Sequence, residues 1–370
     1  MILYHNMIHW SNHAMVSMDR RGLLLWLWLI MITATNLKVG GHSGGHMAFE
    51  MEVTGSLVWG LEQNRLTVAV NNTLTLDTVP QGMLVWQDES DMYPPGYSTL
   101  DTSFDFFNYA GIHRSVLLYT TPEEAHISDI WFNTEVAEDL TTATVSFRLS
   151  YQGPVEFCLV CLKGSGPDLC LEGGLCEGSL EVLKPNLWWP FLMSVTPGVM
   201  HNLEVSIGWG VNEGGMENVK WDSYSQPVGL RQVGFTSNSL LINHKPFYFH
   251  GVARHEDSNV RGKGFDLPLA VRDQNLMEWL GANSFRTSHY PYTEEILDLA
   301  DQRGIVVISE CAAVSLNYFG QKLLENHQQA ITELVARDKN HPSVVRQSNK
   351  RAETKNNKNN NYYSKWPMIF

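Results

Sequence analysis

The clearest rhythm of apolar and polar positions lies between residues 246 and 345, where short apolar runs alternate with segments of helical period. Residues 246–252 are apolar and aromatic enough for a buried strand, which would deliver His255, Glu256 and Asp257 into a loop turning at Gly262 and Gly264. Leu269, Leu276, Met277 and Leu280 then recur near helical spacing, and Gly281 stands where that helix would stop. Residues 284–288 predict a second strand with His289, Tyr290, Pro291 and Tyr292 at its carboxyl end. Thr293, Glu294 and Glu295 suit a helix start, the hydroxyl capping free N–H groups and the acidic side chains opposing the dipole, and Gly304 closes that helix. Residues 305–308 form an unbroken apolar run, as in a parallel strand covered on both faces, ending at Ser309, Glu310 and Cys311. A third helix carries Leu324, Ile331, Leu334 and Val335 on one side, before Pro342 and a fourth strand opening at 343–345. Three and a half such units predict the opening of a (β/α)8 barrel, whose chemistry gathers at the carboxyl ends of the strands.

Upstream the period changes to two. Residues 65–70 and 115–119 alternate, with Gly and Pro between them, which predicts an all-β region. Between 121 and 242, strands at 143–151, 155–162, 203–209 and 240–242 suit an immunoglobulin-like β-sandwich. The pair Asn243-His244 stands where a tight hairpin turn needs positive φ at both positions, and His there is strained but tolerable.

Composition narrows the classes. A length of 370 residues allows two or three domains, and a net charge of −13 argues against a nucleic-acid binder, which normally shows a basic face. The leading segment has an apolar block at 23–32 behind Arg20 and Arg21, too short to span a bilayer; it reads as a secretory signal or as unrelated sequence from an altered start. Residues 346–370 are rich in Lys and Asn and predict a disordered tail. Cys158 and Cys161 are three apart in a predicted strand, so they face opposite ways and converge poorly on an ion; no metal site or cofactor is expected. Cys170 and Cys176 flank a Gly-Gly turn and could pair in an oxidising compartment.

Several long, ordered runs carry a resemblance: 247–251 (Phe-Tyr-Phe-His-Gly), 255–257 (His-Glu-Asp), 261–266 (Arg-Gly-Lys-Gly-Phe-Asp), 281–292 (Gly-Ala-Asn-Ser-Phe-Arg-Thr-Ser-His-Tyr-Pro-Tyr), 304–308 and 337–342 (Arg-Asp-Lys-Asn-His-Pro). With 105–111 (Asp-Phe-Phe-Asn-Tyr-Ala-Gly), they resemble the β-glucuronidases of glycoside hydrolase family 2 over roughly residues 44–345. The implied fold is multidomain, β plus α/β: a leader at 1–43, a partial jelly-roll at 44–120, the immunoglobulin-like sandwich at 121–242, the first three to four units of a (β/α)8 barrel at 243–345, and the tail at 346–370. The match enters the jelly-roll midway, so the chain reads as truncated at both ends. The remaining jelly-roll strands then expose open edges that the leader would have to cover, and the half barrel predicts poor solubility or dependence on a chaperone or full-length partner.

The resemblance implies hydrolysis of terminal glucuronic acid from glycosaminoglycans and glucuronide conjugates, by a family that works as tetramers in the lysosome or secretory pathway. It implies Asp105 and His289 as substrate contacts and Asn71, in Asn71-Asn-Thr73, as a glycosylation site. Retaining glycosidases need two carboxyl groups about 5–5.5 Å apart. The family's acid/base glutamate follows an Asn at the end of the fourth strand, where this chain reads Arg346-Gln-Ser-Asn-Lys350, and its nucleophile lies further on. No catalytic residue is therefore assigned, and this chain alone is expected not to hydrolyse glucuronides. The alternative class is a non-catalytic sugar-binding or assembly-interfering relative, or an unstable fragment. Glu256, Asp257 and Glu310 are expected to support loops or pair with Arg254, Arg261 or Arg286.

Overall fold

The computed structural model describes residues 2–4, 29–32, 37–60, 64–87, 91–173, 176–210 and 219–345. The expected tail at 346–370 and the first part of the apolar block, 23–28, lie outside the described residues, while its end, Leu29–Ile32, is a strand.

Alternation builds the sandwich. Thr142–Gln152 and His201–Trp209 bury every second residue, so Ala143, Val145, Phe147 and Leu149 face Leu203, Val205 and Ile207 across the space between two sheets. One sheet has three strands, Glu177–Leu183, Thr142–Gln152 and His126–Val136; the other has four, Leu169–Gly173, Phe157–Lys163, His201–Trp209 and Lys220–Val228. Two disulfides reinforce this core, and the expected Cys170–Cys176 pair is not among them. Cys161 bonds Cys170, its cross-strand partner, while Cys158 bonds Cys176 on the opposite sheet. The opposite facing of Cys158 and Cys161 is what sends them to different partners.

The amino-terminal β region is thinner. Its strands include Leu37–Gly40, Glu50–Glu52, Leu66–Ala69 and the hairpin Met83–Trp86/Ser98–Asp101. The leading segment supplies two of its strands: Ile2–Tyr4 pairs with Glu50–Glu52 and Leu117–Tyr119, and Leu29–Ile32 pairs with Leu37–Gly40 and Leu66–Ala69. Edges that would otherwise be open are thus paired by the chain's own leader.

The barrel units follow the predicted order, with Gly251–Arg254, Ser284–Thr287 and Val306–Ile308 parallel and adjacent. Val344 bridges to Val307 in parallel, opening a fourth strand position. The expected single strand at 246–252 is instead two. Lys245–Phe247 pairs antiparallel with Leu240–Ile242, and the barrel strand begins only at Gly251. Buried Asn283 explains the break, because its side chain accepts from the His250 N–H at 2.9 Å and donates to the Tyr248 carbonyl at 2.9 Å, occupying groups a continuous ladder would use. The hairpin turn at Asn243 (φ 49°) and His244 (φ 62°) has the expected positive angles, and Asn243, fully buried, bonds Gln232 N and Trp188 O.

Helix α1, Leu267–Trp279, is capped by Asp266, and helix α2, Glu294–Arg303, ends on Gly304 in the left-handed conformation. The Thr293 hydroxyl makes no cap bond; the Glu256 carboxylate instead accepts the Thr293 N–H at 2.8 Å. Helix α3, Gln321–Asp338, buries Leu323, His327, Leu334 and Asp338, a face rotated from the expected one, and Val335 is exposed. Among the described residues, no helix is long and apolar enough to cross a membrane.

Candidate functional site

Parallel register sets the site. Arg254 lies level with Thr287, and Arg286 with Ile308, so the residues after each strand, His255, Ser288 and Ser309, emerge on one face. The Glu310 N–H donates to the buried Thr287 hydroxyl at 2.9 Å, which fixes the third strand's end against the second.

Over this face comes the loop at 102–114 from the amino-terminal β region, held by contacts to all three units, the third through Asn317 Nδ2, which donates to the Ser103 hydroxyl. Phe106 meets Tyr290 edge-on at 5.0 Å, the Tyr109 hydroxyl donates to Asp257 at 2.9 Å, and Arg114 pairs with Glu295. Gly262 (φ 54°) allows the Tyr109 contact, since a Cβ there would lie 2.9 Å from the ring. The loop so placed carries Asp105 to His289, with Oδ1 3.3 Å from Nε2. The structure therefore brings together the two residues singled out as sugar contacts, although Asp105 remains 76% exposed at its side chain.

His289 is oriented from behind. Its Nδ1 lies 3.0 Å from Arg286 Nη2 and 3.6 Å from Glu310 Oε2, and Arg286 Nε donates to Glu310 at 2.5 Å. A guanidinium only donates, so Nδ1 accepts and the imidazole proton sits on Nε2, pointing at Asp105. His255 stands 5.9 Å away, ring centre to ring centre, with its Nδ1 3.2 Å from the Tyr290 hydroxyl.

Below the mouth the packing is aromatic and charged. Lys263 lies 3.5 Å from the Tyr290 ring centre and bonds Glu256 at 2.6 Å, both side chains almost fully buried. Burial lowers the Lys263 pKa, against the opposing pull of Glu256. His46 stacks on Tyr290 at 5.2 Å, and burial, then the charge of Lys263, holds its pKa well below the ordinary value, so it is neutral near pH 7. Burial likewise raises the Tyr290 hydroxyl, which stays protonated.

The carboxylates take both expected kinds of role: Glu310 pairs with Arg286, while Glu256, bound to Lys263 and the Thr293 N–H, and Asp257, bound to Tyr109, support loops; Arg254 and Arg261 pair instead with Asp273 and Asp266. Asn71 sits after the strand Leu66–Ala69, half-buried, its side chain accepting from the Thr73 N–H at 2.9 Å. Sequence reasoning passed over His46, Tyr290 and Lys263 as site framework; the aromatic run after the second strand was the available signal for Tyr290, and nothing local marked His46.

Residues 233–361 match the family described as glycosyl hydrolases family 2, TIM barrel domain. The chain is 48% identical to β-glucuronidase of Mus musculus over 320 residues and 46% identical to that of Homo sapiens over 310, covering 85% and 82% of this chain and 48% and 46% of those proteins. It spans about half the length of the curated relatives it matches. Among solved structures, β-D-glucuronidase of Dictyoglomus thermophilum superposes with a TM-score of 0.76 at 38% identity, and that of Bifidobacterium dentium, complexed with coumarin-3-O-glucuronide, with 0.75 at 32%. Each covers 93% of this chain and 55% of its own.

Proposed function

Because this chain belongs to the β-glucuronidases of glycoside hydrolase family 2, we propose that its barrel mouth recognises a terminal β-D-glucuronic acid unit of a glycosaminoglycan or glucuronide conjugate, and that this chain alone does not cleave it. The observation that carries the recognition half is the convergence of Asp105 and His289 from separate β and barrel regions. An exposed carboxylate beside an oriented imidazole N–H offers an acceptor and a donor 3.3 Å apart, the pairing that suits the vicinal hydroxyls of a sugar ring.

The second half rests on carboxyl chemistry. General acid catalysis needs a protonated carboxyl facing the leaving oxygen, with a second carboxylate about 5–5.5 Å away. Among the described residues at the mouth, Glu310, Glu256 and Asp257 are each bound to a cation or phenol, an environment that serves structure rather than proton transfer. After the fourth strand position the sequence reads Arg346-Gln-Ser-Asn-Lys350, without the Asn-Glu of the family's acid/base. A non-catalytic, sugar-binding role is thus favoured over hydrolysis for this polypeptide, with assembly onto itself or onto a full-length relative as the context. The two disulfides and the Asn71 triplet support a secretory or lysosomal route with Asn71 glycosylated. Saturation-transfer NMR with D-glucuronic acid tests the recognition: the expected result is ring-proton transfer that disappears in Asp105→Asn and His289→Ala, and equal transfer in all three proteins would refute it.

A further inference from the structure

We propose that Asp105, His255 and His289 form a binding site, competitive with the sugar, for a divalent transition-metal ion of borderline softness, for which Zn2+ is the probe. The inference rests on the sugar reading only in its consequence, since ion and sugar would claim the same atoms. One carboxylate oxygen of Asp105 and one nitrogen of each imidazole lie within 4.8 Å of one another. The 3.3 Å between His289 Nε2 and Asp105 Oδ1 is already the separation of two ligands on a tetrahedral zinc, whose bonds are about 2.0–2.2 Å long. Two imidazoles and a carboxylate favour zinc, copper or nickel over calcium or magnesium.

The surroundings of the two histidines are a second, independent observation. Metal-bound histidines usually present the other ring nitrogen to a carboxylate or similar acceptor, which sets the tautomer and raises ligand basicity. Here His255 Nδ1 has such a partner in the Tyr290 oxygen at 3.2 Å, while for His289 the carboxylate of Glu310 stands 3.6 Å from Nδ1, behind the nearer Arg286. Without the ion, Arg286 donates to His289 Nδ1 and the ring proton is on Nε2. Binding would move that proton to Nδ1, which requires Arg286 Nη2 to swing off Nδ1 and Glu310 Oε2 to close from 3.6 Å to accept it, while Arg286 keeps its Nε bond to the same carboxylate and the Nε2 lone pair goes to the metal. The imidazole stays neutral, so no proton is lost from the pair. Exposure of Asp105 leaves the fourth position open to water.

The experiment is titration calorimetry of the untagged chain with ZnCl2, in parallel with the visible spectrum of the Co2+-substituted protein. The expected result is one ion per chain with tetrahedral cobalt bands, both lost in Asp105→Asn, an exposed loop position that folding tolerates, and in His255→Ala. Glu310→Gln should weaken binding about 10–100-fold while leaving the cobalt geometry tetrahedral, because Glu310 acts through His289. D-glucuronic acid should displace the ion. Absence of stoichiometric binding, or binding unchanged in Asp105→Asn, overturns the proposal. Zinc binding at these residues without sugar competition upholds the metal site and removes the sugar reading; sugar binding without zinc binding does the reverse.

Discussion

The two β regions solve the same folding problem differently. The sandwich at 126–228 fills its interior with residues such as Val145, Leu203, Val205 and Ile207, none of them measurably exposed, and adds one disulfide between its sheets and one between neighbouring strands. The amino-terminal region gathers its own apolar cluster around Val53 and leaves Trp59, Trp86, Met92 and Phe107 more than half exposed. What holds the latter in place is the barrel. Buried Gln81 accepts the Asn317 N–H at 2.8 Å and donates to the Tyr318 carbonyl at 2.7 Å, and His42 bonds Glu333 of α3 at 2.9 Å. The weaker region is also the one that supplies Asp105. Its placement at the mouth therefore depends on docking, whereas the sandwich is a support that stands on its own core.

That contrast can be broken most forcefully in the sandwich. Ile207→Ala removes a side chain with no exposure, and the expected loss is about 2–5 kcal/mol of unfolding free energy, seen as a lowered denaturation midpoint. If sugar binding at low temperature is retained in that variant, the sandwich is confirmed as support rather than site. A smaller effect is expected from Gln81→Ala, which strands the Asn317 N–H and the Tyr318 carbonyl at a cost of about 1–3 kcal/mol. Hydrogen exchange should then rise in the 102–114 loop and leave the sandwich strands protected; a uniform rise would mean the two β regions are not independent.

The finest effect concerns the seam between sandwich and barrel, which is built around a buried carboxylate, Asp301. His341 Nδ1 donates to Asp301 at 2.6 Å, the Ser343 N–H bonds the same carboxylate at 2.9 Å, and Arg231 from the sandwich side donates to the carbonyls of Pro342 and Val344. Burial works to lower the His341 pKa, but the Asp301 hydrogen bond and charge, with Asp338 and Asp298, outweigh it and the pKa is raised. A raised histidine contributes stability that is complete below its unfolded pKa of about 6.5 and is lost as pH climbs through the folded value. The melting-temperature advantage of wild type over His341→Gln should thus shrink as pH rises above about 6.5. The lowered pKa of His46 acts in the opposite sense in both proteins and cancels in the difference.

Much of the barrel was legible because its signals are local. Gly281 and Gly304 stop helices where a left-handed residue is needed, and the unbroken run at 305–308 reads as a strand buried on both faces. What escaped were decisions made across the fold. Asn283 splits the 246–252 run from more than thirty positions away, Glu256 displaces the Thr293 hydroxyl as helix cap, and Cys158 finds Cys176 on the facing sheet. The candidate site divides the same way. Asp105 and His289 were found through family motifs, while the His46, Lys263 and Tyr290 stack exists only once loop and barrel meet.

The most direct test of the central claim, a mouth that holds the sugar without cleaving it, is a fluorogenic glucuronide assay on the purified 370-residue chain. The expected result is D-glucuronic acid binding with turnover indistinguishable from a protein-free blank, in wild type and in Glu310→Gln alike. Sustained turnover that co-purifies with the chain and falls in Glu310→Gln would contradict it.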